Sequence, residues 1–245
     1  MKKAVHFGAC KIGRGFIADL LHGSGYEIVF ADVVDALVNL VNENHAYSLF
    51  LIDHDYEEKI IDQVAAYSSA KEPERVISAI CEAEITTSVM AGNLPKIAPL
   101  LAQGLKQRLT NGGAPVTVMA CENAIMGTDI LKNAMLETGI LTADKLDAIG
   151  VYPNTAVDRM VFGGTHHGKE GVEIGDAFEL TIERGKLLDP ASQSHPVQHP
   201  KQSQKTSIYW DMRRILTRLF LHRIAHMQSR NQMCFCLPQR TASAM

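Results

Sequence analysis

The sequence predicts an α/β fold built on a doubly wound, mostly parallel sheet. Residues 4–32 run in the order strand, glycine-bearing turn, helix and strand. Apolar strand patterns then alternate with helical patterns as far as residue 138, which is the arrangement of consecutive βαβ units. Residues 116–120, VTVMA, are almost continuously apolar, as is expected of a strand that helices cover on both faces.

The first unit contains a spaced set of glycines. After the strand of residues 4–7, Gly8 and Gly13 stand five positions apart, like the first and third glycines of the pattern G-x-G-x-x-G. Cys10 occupies the middle position. A side chain there narrows the approach of a ligand to the backbone, so weakened or displaced ligand binding is predicted. The apolar face of the following helix comprises Ile12, Phe16, Ile17, Leu20 and Leu21, and the helix is expected to stop at Gly23 to Gly25.

This order of elements is typical of a dinucleotide-binding, Rossmann-type unit. In such a unit the turn directs backbone N–H groups and the positive end of the helix at a diphosphate. Asp32 closes the second strand, where a carboxylate accepts hydrogen bonds from the ribose hydroxyls and repels a 2′-phosphate. The pattern therefore favours NAD over NADP. The alternatives are an α/β core without a ligand and a helix-capping role for Asp32.

The later elements follow from periodicity. We expect a helix after Asp32 with Val33, Leu37, Leu40 and Val41 facing inward. Strands are expected at residues 46–52 and 85–90, an extra strand or hairpin at 57–68, and further helices at 72–83, 94–109 and 124–138. Because ligands lie beyond the carboxyl ends of parallel strands, residues 8–13, 87–92 and 121–123 are candidates for the site. Asn123 has an alternative role as the N-cap of the last helix, whose positive end also favours Glu122.

Composition limits the class of protein. The 245 residues are enough for one large or two modest domains. No run of about 18 apolar residues is present, so no membrane span is expected, and the first residues show no export signal. The five cysteines include no C-x-x-C pair, as in proteins of a reduced compartment. A cytoplasmic protein is therefore expected.

Charge divides the chain near residue 184. Residues 1–184 carry 15 Lys and Arg and 25 Asp and Glu, a balance of −10, whereas residues 185–245 carry 9 and 2, a balance of +7. We therefore predict a dinucleotide-binding domain at residues 1–184 and a poorly structured or helical basic tail at 185–245. A linker is expected at 189–207 and a basic amphipathic helix at 208–228. His222 and His226 have the spacing of two zinc ligands but lack a third, so no metal site is predicted.

Five segments together carry a family resemblance. They are HFGACKIGRGF at residues 6–16, FAD at 30–32, ITTSV at 85–89, ACENAIMGTDILK at 120–132 and NTAVDRMV at 154–161. In this order they resemble the mannitol-1-phosphate 5-dehydrogenases of the polyol-specific long-chain dehydrogenase family. The resemblance implies a cytoplasmic, NAD-dependent oxidoreductase that interconverts mannitol 1-phosphate and fructose 6-phosphate.

The resemblance also implies roles for matched positions. The residues implied to hold the cofactor are Val5, His6, Phe7, Gly8, Ala9, Cys10, Lys11, Ile12, Gly13, Arg14, Gly15, Asp32, Glu122 and Asn123. Of these, Lys11 stands where the family usually has asparagine, and Cys10 where it has glycine. Asn154 is implied to hold the substrate oxygen as a catalytic residue. Asp158 and Arg159 are implied to lie at the edge of the active site, and their alternative role is a structural ion pair.

One element of the family is absent from these 245 residues. The family's general base is the lysine of a helical motif, K-x-x-x-x-N-x-x-H, and no lysine here has both partners. Because hydride transfer needs a positioned proton acceptor, weak or no activity is predicted for this polypeptide. One alternative is a catalytically silent dinucleotide-binding fragment from a truncated or frameshifted gene. Another is a module whose basic tail binds a membrane or nucleic acid, although we expect neither partner because such helices more commonly pack on their own domain.

Overall fold

The computed structural model describes residues 2–89, 91–122, 124–183 and 186. Its strands are β1 (Lys2–Phe7), β2 (Tyr26–Asp32), β3 (Tyr47–Leu51), β4 (Glu57–Ile61), β5 (Val64–Ser68), β6 (Ile85–Ser88), β7 (Val116–Ala120), β8 (Gly150–Val151), β9 (Thr155–His166) and β10 (Lys169–Ile182). Its helices are α1 (Ala18–Gly23), α2 (Asp35–Asn44), α3 (Pro73–Glu82), α4 (Leu94–Thr110), α5 (Gly127–Glu137) and α6 (Ala143–Ile149). A π-helical turn, Gly13–Ile17, leads into α1, and short 3-10 turns lie at Ile52–His54 and Ala91–Asn93.

Six strands form one parallel sheet in the order β5-β2-β1-β6-β7-β8. Ala4 of β1 pairs with Ile28 of β2 on one side and with Ile85 of β6 on the other, so the first strand of the chain is central. Such a strand must be apolar on both faces, because helices cover both faces of the sheet. The predicted doubly wound, mostly parallel sheet is confirmed.

A second, four-stranded sheet has the order β4-β3-β10-β9, and the sequence pattern did not predict it. The strand expected at residues 46–52 is β3, which leaves the parallel sheet and pairs antiparallel with β4. The segment expected at residues 57–68 is divided between the sheets, because β4 stays with β3 whereas β5 pairs with β2. A local pattern identifies a strand without identifying its partner, since pairing depends on contacts that are distant in sequence.

The helix that follows the glycine turn lies between the two sheets. Four of the five residues predicted on its apolar face are buried in the cluster that fills this space: Phe16, Ile17, Leu20 and Leu21. The fifth, Ile12, lies in the first helical turn and is 47% exposed. Gly15 permits the close approach, since a methyl group there would lie 2.6 Å from Val172 of β10. A second apolar cluster fills the opposite face of the parallel sheet beneath α3 to α6.

Two helices begin later than expected. α2 begins at Asp35, and Val33, which was expected to face inward, is 67% exposed. α5 begins at Gly127, with Met126 in the left-handed region (φ 60°) as its N-cap. The expected start at residue 124, and with it the N-cap role of Asn123, is therefore wrong.

Several predictions for the tail lie outside the described residues. They are the linker at residues 189–207, the basic helix at 208–228 and the pair His222 and His226. Asn123 itself is also outside the described part of the chain. Among the residues that the structure describes, no helix combines the length and the apolar character needed to cross a bilayer.

Candidate functional site

The carboxyl ends of β1, β2, β6 and β7 meet at one edge of the parallel sheet. Gly8 follows β1, Asp32 ends β2, Val89 follows β6 and Cys121 follows β7. Backbone hydrogen bonds join neighbouring ends, as where the Gly8 N–H donates to the Ala31 carbonyl at 3.0 Å. The structure therefore brings the predicted strand-end residues together at the edge where α/β sheets bind ligands.

The turn after β1 requires glycine at both predicted positions. Gly8 has a φ of +109°, and a methyl group there would lie 2.7 Å from Cγ2 of Val89. A methyl group at Gly13 would collide with the Gly8 carbonyl oxygen and lie 2.8 Å from Nε2 of His6. The helix can therefore start directly against the strand, which brings its positive end to the ligand edge.

Asp32 forms the rim of this turn. Its Oδ2 accepts a hydrogen bond from the Ala9 N–H at 2.6 Å, and its Oδ1 accepts one from the Val34 N–H at 2.9 Å. The side chain is half-buried, and each carboxylate oxygen has capacity for a further hydrogen bond, for instance from a ribose hydroxyl. The alternative role as N-cap of α2 is not formed, because α2 begins at Asp35 and its N-cap is Val34.

Cys10 is drawn partly into the protein. The residue is half-buried, and its side chain packs against the apolar cluster between the two sheets. Its carbonyl accepts a hydrogen bond from the Arg14 N–H at 2.9 Å, which closes the first helical turn. The thiol therefore occupies less of the turn's outer surface than the sequence pattern suggests. The expected weakening of cofactor binding stays a prediction.

Arg14 lies underneath the turn. It is only 7% exposed, and its Nε donates to the Ala9 carbonyl at 2.9 Å. Its guanidinium lies 5.7 Å from the centre of the Tyr47 ring, whose hydroxyl donates to the Arg14 carbonyl at 2.8 Å. Burial lowers the pKa of Arg14, yet an arginine keeps its charge at neutral pH. This cation therefore stabilises the turn from within the protein.

Three residues implied to hold the cofactor are buried in β1. Val5, His6 and Phe7 are each at most 3% exposed, so their side chains support the turn from below. Nδ1 of His6 lies 2.6 Å from Oγ1 of Thr87, and its Nε2 has no hydrogen-bond partner among the described residues. Burial lowers the pKa of His6 to about 3, so this imidazole is neutral at pH 7.

Lys11 and Ile12 are the exposed members of the turn. The end of the Lys11 side chain lies over Gly163 of β9, where an added methyl group would collide with Cε and Nζ. Gly15 faces away from the edge and packs against the second sheet. The turn thus presents an exposed rim and a buried underside.

Arg159 pairs with Asp19 instead of with Asp158. Its Nη1 donates to Oδ2 of Asp19 at 2.7 Å and to the Gly15 carbonyl at 3.2 Å, and Lys59 contacts the other oxygen of Asp19. Asp158 is exposed, because neighbouring residues of a strand point to opposite faces. Although burial acts to raise the pKa of Asp19, the two cations hold that pKa below its ordinary value.

The residues after β7 reach the same edge. Cys121 is buried, and this burial raises the pKa of its thiol to about 12, so the thiol is protonated and a poor nucleophile at neutral pH. Glu122 is half-buried. The Thr155 hydroxyl donates to the Ala120 carbonyl at 2.7 Å, which fixes the start of β9 beside the end of β7.

Asn154 lies at this edge, where its amide binds other parts of the chain. Its Oδ1 accepts hydrogen bonds from the N–H groups of Thr128 and Asp129 at 3.1 and 3.2 Å. Its Nδ2 donates to Oδ2 of Asp129 at 2.8 Å and to Oε2 of Glu183 at 2.9 Å. Asn154 therefore provides, from a distant position in the sequence, the cap of α5 that had been expected of Asn123. Its implied catalytic role stays a prediction.

Lys186 completes this cluster. Its Nζ lies 2.9 Å from Oδ1 of Asp129 and 3.2 Å from Oε2 of Glu183. Burial acts to lower the pKa of Lys186, but the two carboxylates hold it above its ordinary value. The sequence analysis did not identify Asp129, Glu183 or Lys186 as candidates for the site. Only Asp129 gave a usable signal, as an acid in the first turn of a predicted helix.

Comparison with known proteins extends these observations. The family model for the mannitol dehydrogenase Rossmann domain matches residues 2–190. A mannitol-1-phosphate 5-dehydrogenase of Geobacillus stearothermophilus is 43% identical over 188 residues, and one of Thermoanaerobacter pseudethanolicus is 44% identical over 195 residues. The matches cover 76% and 77% of this chain and 49% of each relative. The chain thus spans about half the length of the curated relatives it matches.

Solved structures share the fold. The mannitol 2-dehydrogenase of Pseudomonas fluorescens, in a ternary complex with NAD and D-mannitol, superposes with a TM-score of 0.62 at 15% identity, covering 74% of this chain and 49% of that one. A D-sorbitol dehydrogenase in substrate-free form has a TM-score of 0.61 at 16% identity, covering 73% and 49%. At this level of identity the likeness concerns the fold alone.

Proposed function

Because the chain belongs to the mannitol dehydrogenase family, whose Rossmann domain model matches its residues 2–190, we propose that it is an NAD-dependent polyol-phosphate oxidoreductase. The proposed reaction interconverts mannitol 1-phosphate and fructose 6-phosphate. The choice of substrate follows curated relatives that carry the name mannitol-1-phosphate 5-dehydrogenase. The expected cytoplasmic location stays a prediction.

The observation that carries the proposal is the glycine turn with Asp32 at its rim. Gly8 and Gly13 have no space for a side chain, so they allow the helix to begin directly against the end of β1, where its backbone N–H groups can bind a diphosphate. Asp32 is held 2.6 Å from the Ala9 N–H, beside the same turn, where its carboxylate can accept hydrogen bonds from the adenosine ribose. These residues fit NAD, and the negative charge of Asp32 disfavours the 2′-phosphate of NADP.

A bound nicotinamide would accept or supply the hydride. A group of the protein must then accept or donate the accompanying proton. The proposed division of the chain assigns residues 1–184 to cofactor binding and residues 185–245 to an atypical tail. Asn154 is proposed to orient the reacting oxygen, and Asp158 and Arg159 to lie near the substrate. Because the Asn154 amide is bound to Asp129 and Glu183, its role in holding the substrate would require it to exchange at least one of these partners.

The proton acceptor decides how active this polypeptide is. Lys186 lies beside the Asn154 cluster, but its raised pKa keeps it protonated at neutral pH, so it is a poor general base. The family's lysine motif does not occur in these 245 residues. A positioned general base contributes about 10²- to 10⁴-fold in rate. We therefore propose weak or no turnover, and a catalytically silent dinucleotide-binding protein is the second candidate.

Two measurements test this proposal. Calorimetric titration of the 245-residue protein with NADH measures cofactor binding, and the absorbance of NADH measured with fructose 6-phosphate at saturating cofactor gives the rate. We expect binding together with a rate at least about 10²-fold below the usual range of dehydrogenase turnover.

Each outcome separates the candidates. Binding with slow, substrate-dependent oxidation of NADH supports the oxidoreductase, and binding without any turnover favours the silent protein. Failure to bind either NADH or NAD⁺ at millimolar concentration contradicts both. Full turnover would show that the family reaction is correct and that another group of this chain supplies the base.

A further inference from the structure

Lys11 is an exposed cation within the glycine turn. It lies between Gly8 and Gly13, in the first helical turn, which the Arg14 N–H closes by donating to the Cys10 carbonyl. No ion pair found among the described residues involves Lys11. Its ammonium is therefore available to an anion at the turn, in a domain whose overall charge balance is −10 over residues 1–184.

Gly163 provides the place where the Lys11 side chain rests. This residue of β9 is exposed, and its missing side chain leaves room for Cε and Nζ of Lys11, which an added methyl group would displace. The ammonium thus lies beside the turn, where no carboxylate of the described residues forms an ion pair with it. Contact with a glycine backbone costs little to break, so the flexible side chain can turn toward a ligand.

The other cation of the turn has a different orientation. Arg14 is 7% exposed, and its Nε is bound to the Ala9 carbonyl underneath the turn. Cys10 stands where glycine would allow the closest contact with the backbone, and its side chain packs only partly into the apolar cluster. A diphosphate kept slightly farther from the backbone N–H groups loses part of their attraction, and a mobile cation on the exposed rim can replace it.

We propose that Lys11 binds the diphosphate of the dinucleotide and thereby compensates for the side chain of Cys10. This inference rests on the proposed function, because it assumes that the turn binds NAD. It assigns Lys11 a charge-based role, in which the ammonium binds an oxyanion of a phosphate group. The sugar phosphate is the other possible source of such an oxyanion, so the test must distinguish the two.

Lys11→Gln removes the charge and keeps most of the side-chain length, and Lys11→Arg keeps the charge. Lys145→Gln is the matched control, since Lys145 is an exposed lysine on α6, beyond the opposite face of the sheet. Calorimetry with NAD⁺, ADP-ribose, adenosine and fructose 6-phosphate compares ligands with and without the diphosphate. We expect Lys11→Gln to weaken NAD⁺ and ADP-ribose about three- to ten-fold, to leave adenosine unchanged and to reduce the salt dependence of NAD⁺ binding.

The outcomes distinguish this inference from the proposed function. If the unmodified protein binds NAD⁺ and Lys11→Gln binds it equally well, the role of Lys11 is wrong and the proposed function stands. If only the affinity for fructose 6-phosphate changes, the diphosphate contact is also wrong. If the unmodified protein does not bind NAD⁺, both fail. Retained affinity in Lys11→Arg and Lys145→Gln, together with loss in Lys11→Gln, supports the contact.

Discussion

The carboxylate of Asp32 and the backbone N–H of Ala9 are joined by a hydrogen bond of 2.6 Å. Asp32 ends the second strand, and Ala9 lies in the turn after the first. The acid expected to bind the ribose therefore also holds the turn expected to bind the diphosphate. Because the other oxygen of Asp32 accepts the Val34 N–H at 2.9 Å, one side chain organises two segments of the site.

Asp32→Ala should weaken cofactor binding and lower stability together. The change leaves the N–H groups of Ala9 and Val34 without this acceptor, which should cost about 1–2 kcal/mol in free energy of unfolding. NAD⁺ affinity should fall at least about ten-fold, through loss of the ribose contact and of the ordered turn. Urea denaturation and calorimetry measure both effects. Asp35→Ala is the control, because Asp35 is an exposed acid of the same region that pairs with the exposed Lys71. Unchanged NAD⁺ affinity in Asp32→Ala would contradict the prediction.

Gly13→Ala should disrupt the turn, whereas Gly23→Ala should be tolerated. A methyl group at Gly13 collides with the Gly8 carbonyl, while one at Gly23 meets nothing within 4 Å. We expect Gly13→Ala to cost about 1–3 kcal/mol and to abolish NAD⁺ binding. Gly23→Ala should change stability by less than about 1 kcal/mol. Thermal unfolding and titration with NAD⁺ compare the two, and equal behaviour of both variants would show that the turn can relax.

Cys10→Gly should tighten NAD⁺ binding. The change opens the middle position of the turn to the diphosphate, and we expect an affinity about three- to ten-fold higher by calorimetry. Because Cys10 packs partly against the apolar cluster, the variant should also lose about 1 kcal/mol of stability. Cys81→Ala, a change at a half-buried cysteine on α3, serves as the control for thiol removal. An unchanged affinity would mean that the turn already accommodates the thiol.

His6 should make the protein less stable as the pH falls below neutrality. Burial lowers its pKa to about 3 in the folded state, whereas an unfolded histidine has a pKa of about 6.5. Between these values only the unfolded state binds the proton, so the stabilisation is complete above about pH 6.5 and decreases by up to about 1.4 kcal/mol per pH unit below it. His6→Gln should remove that slope in urea denaturation at pH 5 to 7. His54→Gln, at an exposed site, should keep it, and a slope that persists without His6 would contradict the assignment.

Arg159→Met should destabilise the fold, and the loss should shrink in acid. Arg159 and Lys59 hold the pKa of the buried Asp19 below its ordinary value. The stabilisation is therefore complete above the unfolded pKa of about 3.9 and is lost as the pH falls through the lower folded pKa. We expect a cost of about 3–5 kcal/mol at pH 7 and a smaller difference from the unmodified protein at pH 3. A difference that does not depend on pH would exclude Asp19 as the partner.

Local patterns in the sequence predicted most of the first sheet. The glycine spacing, the apolar strands and the acid of Asp32 are all features of a single βαβ unit, where the determining contacts are short in sequence. The same reasoning failed for the N-cap of α5, because the group that binds its first N–H groups is Asn154, 26 residues after Thr128. It also did not identify the ion-pair partner of Arg159, because Asp19 lies 140 residues earlier in the chain.

By itself, the sequence determined the parallel α/β sheet, the position of the glycine turn and the acid that favours NAD, because backbone sterics and hydrophobic periodicity act over a few neighbouring residues. Only the tertiary structure decided that β3 and β4 leave the parallel sheet, that Asp32 holds the turn through Ala9, and that the Asn154 amide binds α5. Those outcomes depend on which distant segments pack together, and burial and pairing energies select among arrangements that are equally compatible with the local pattern.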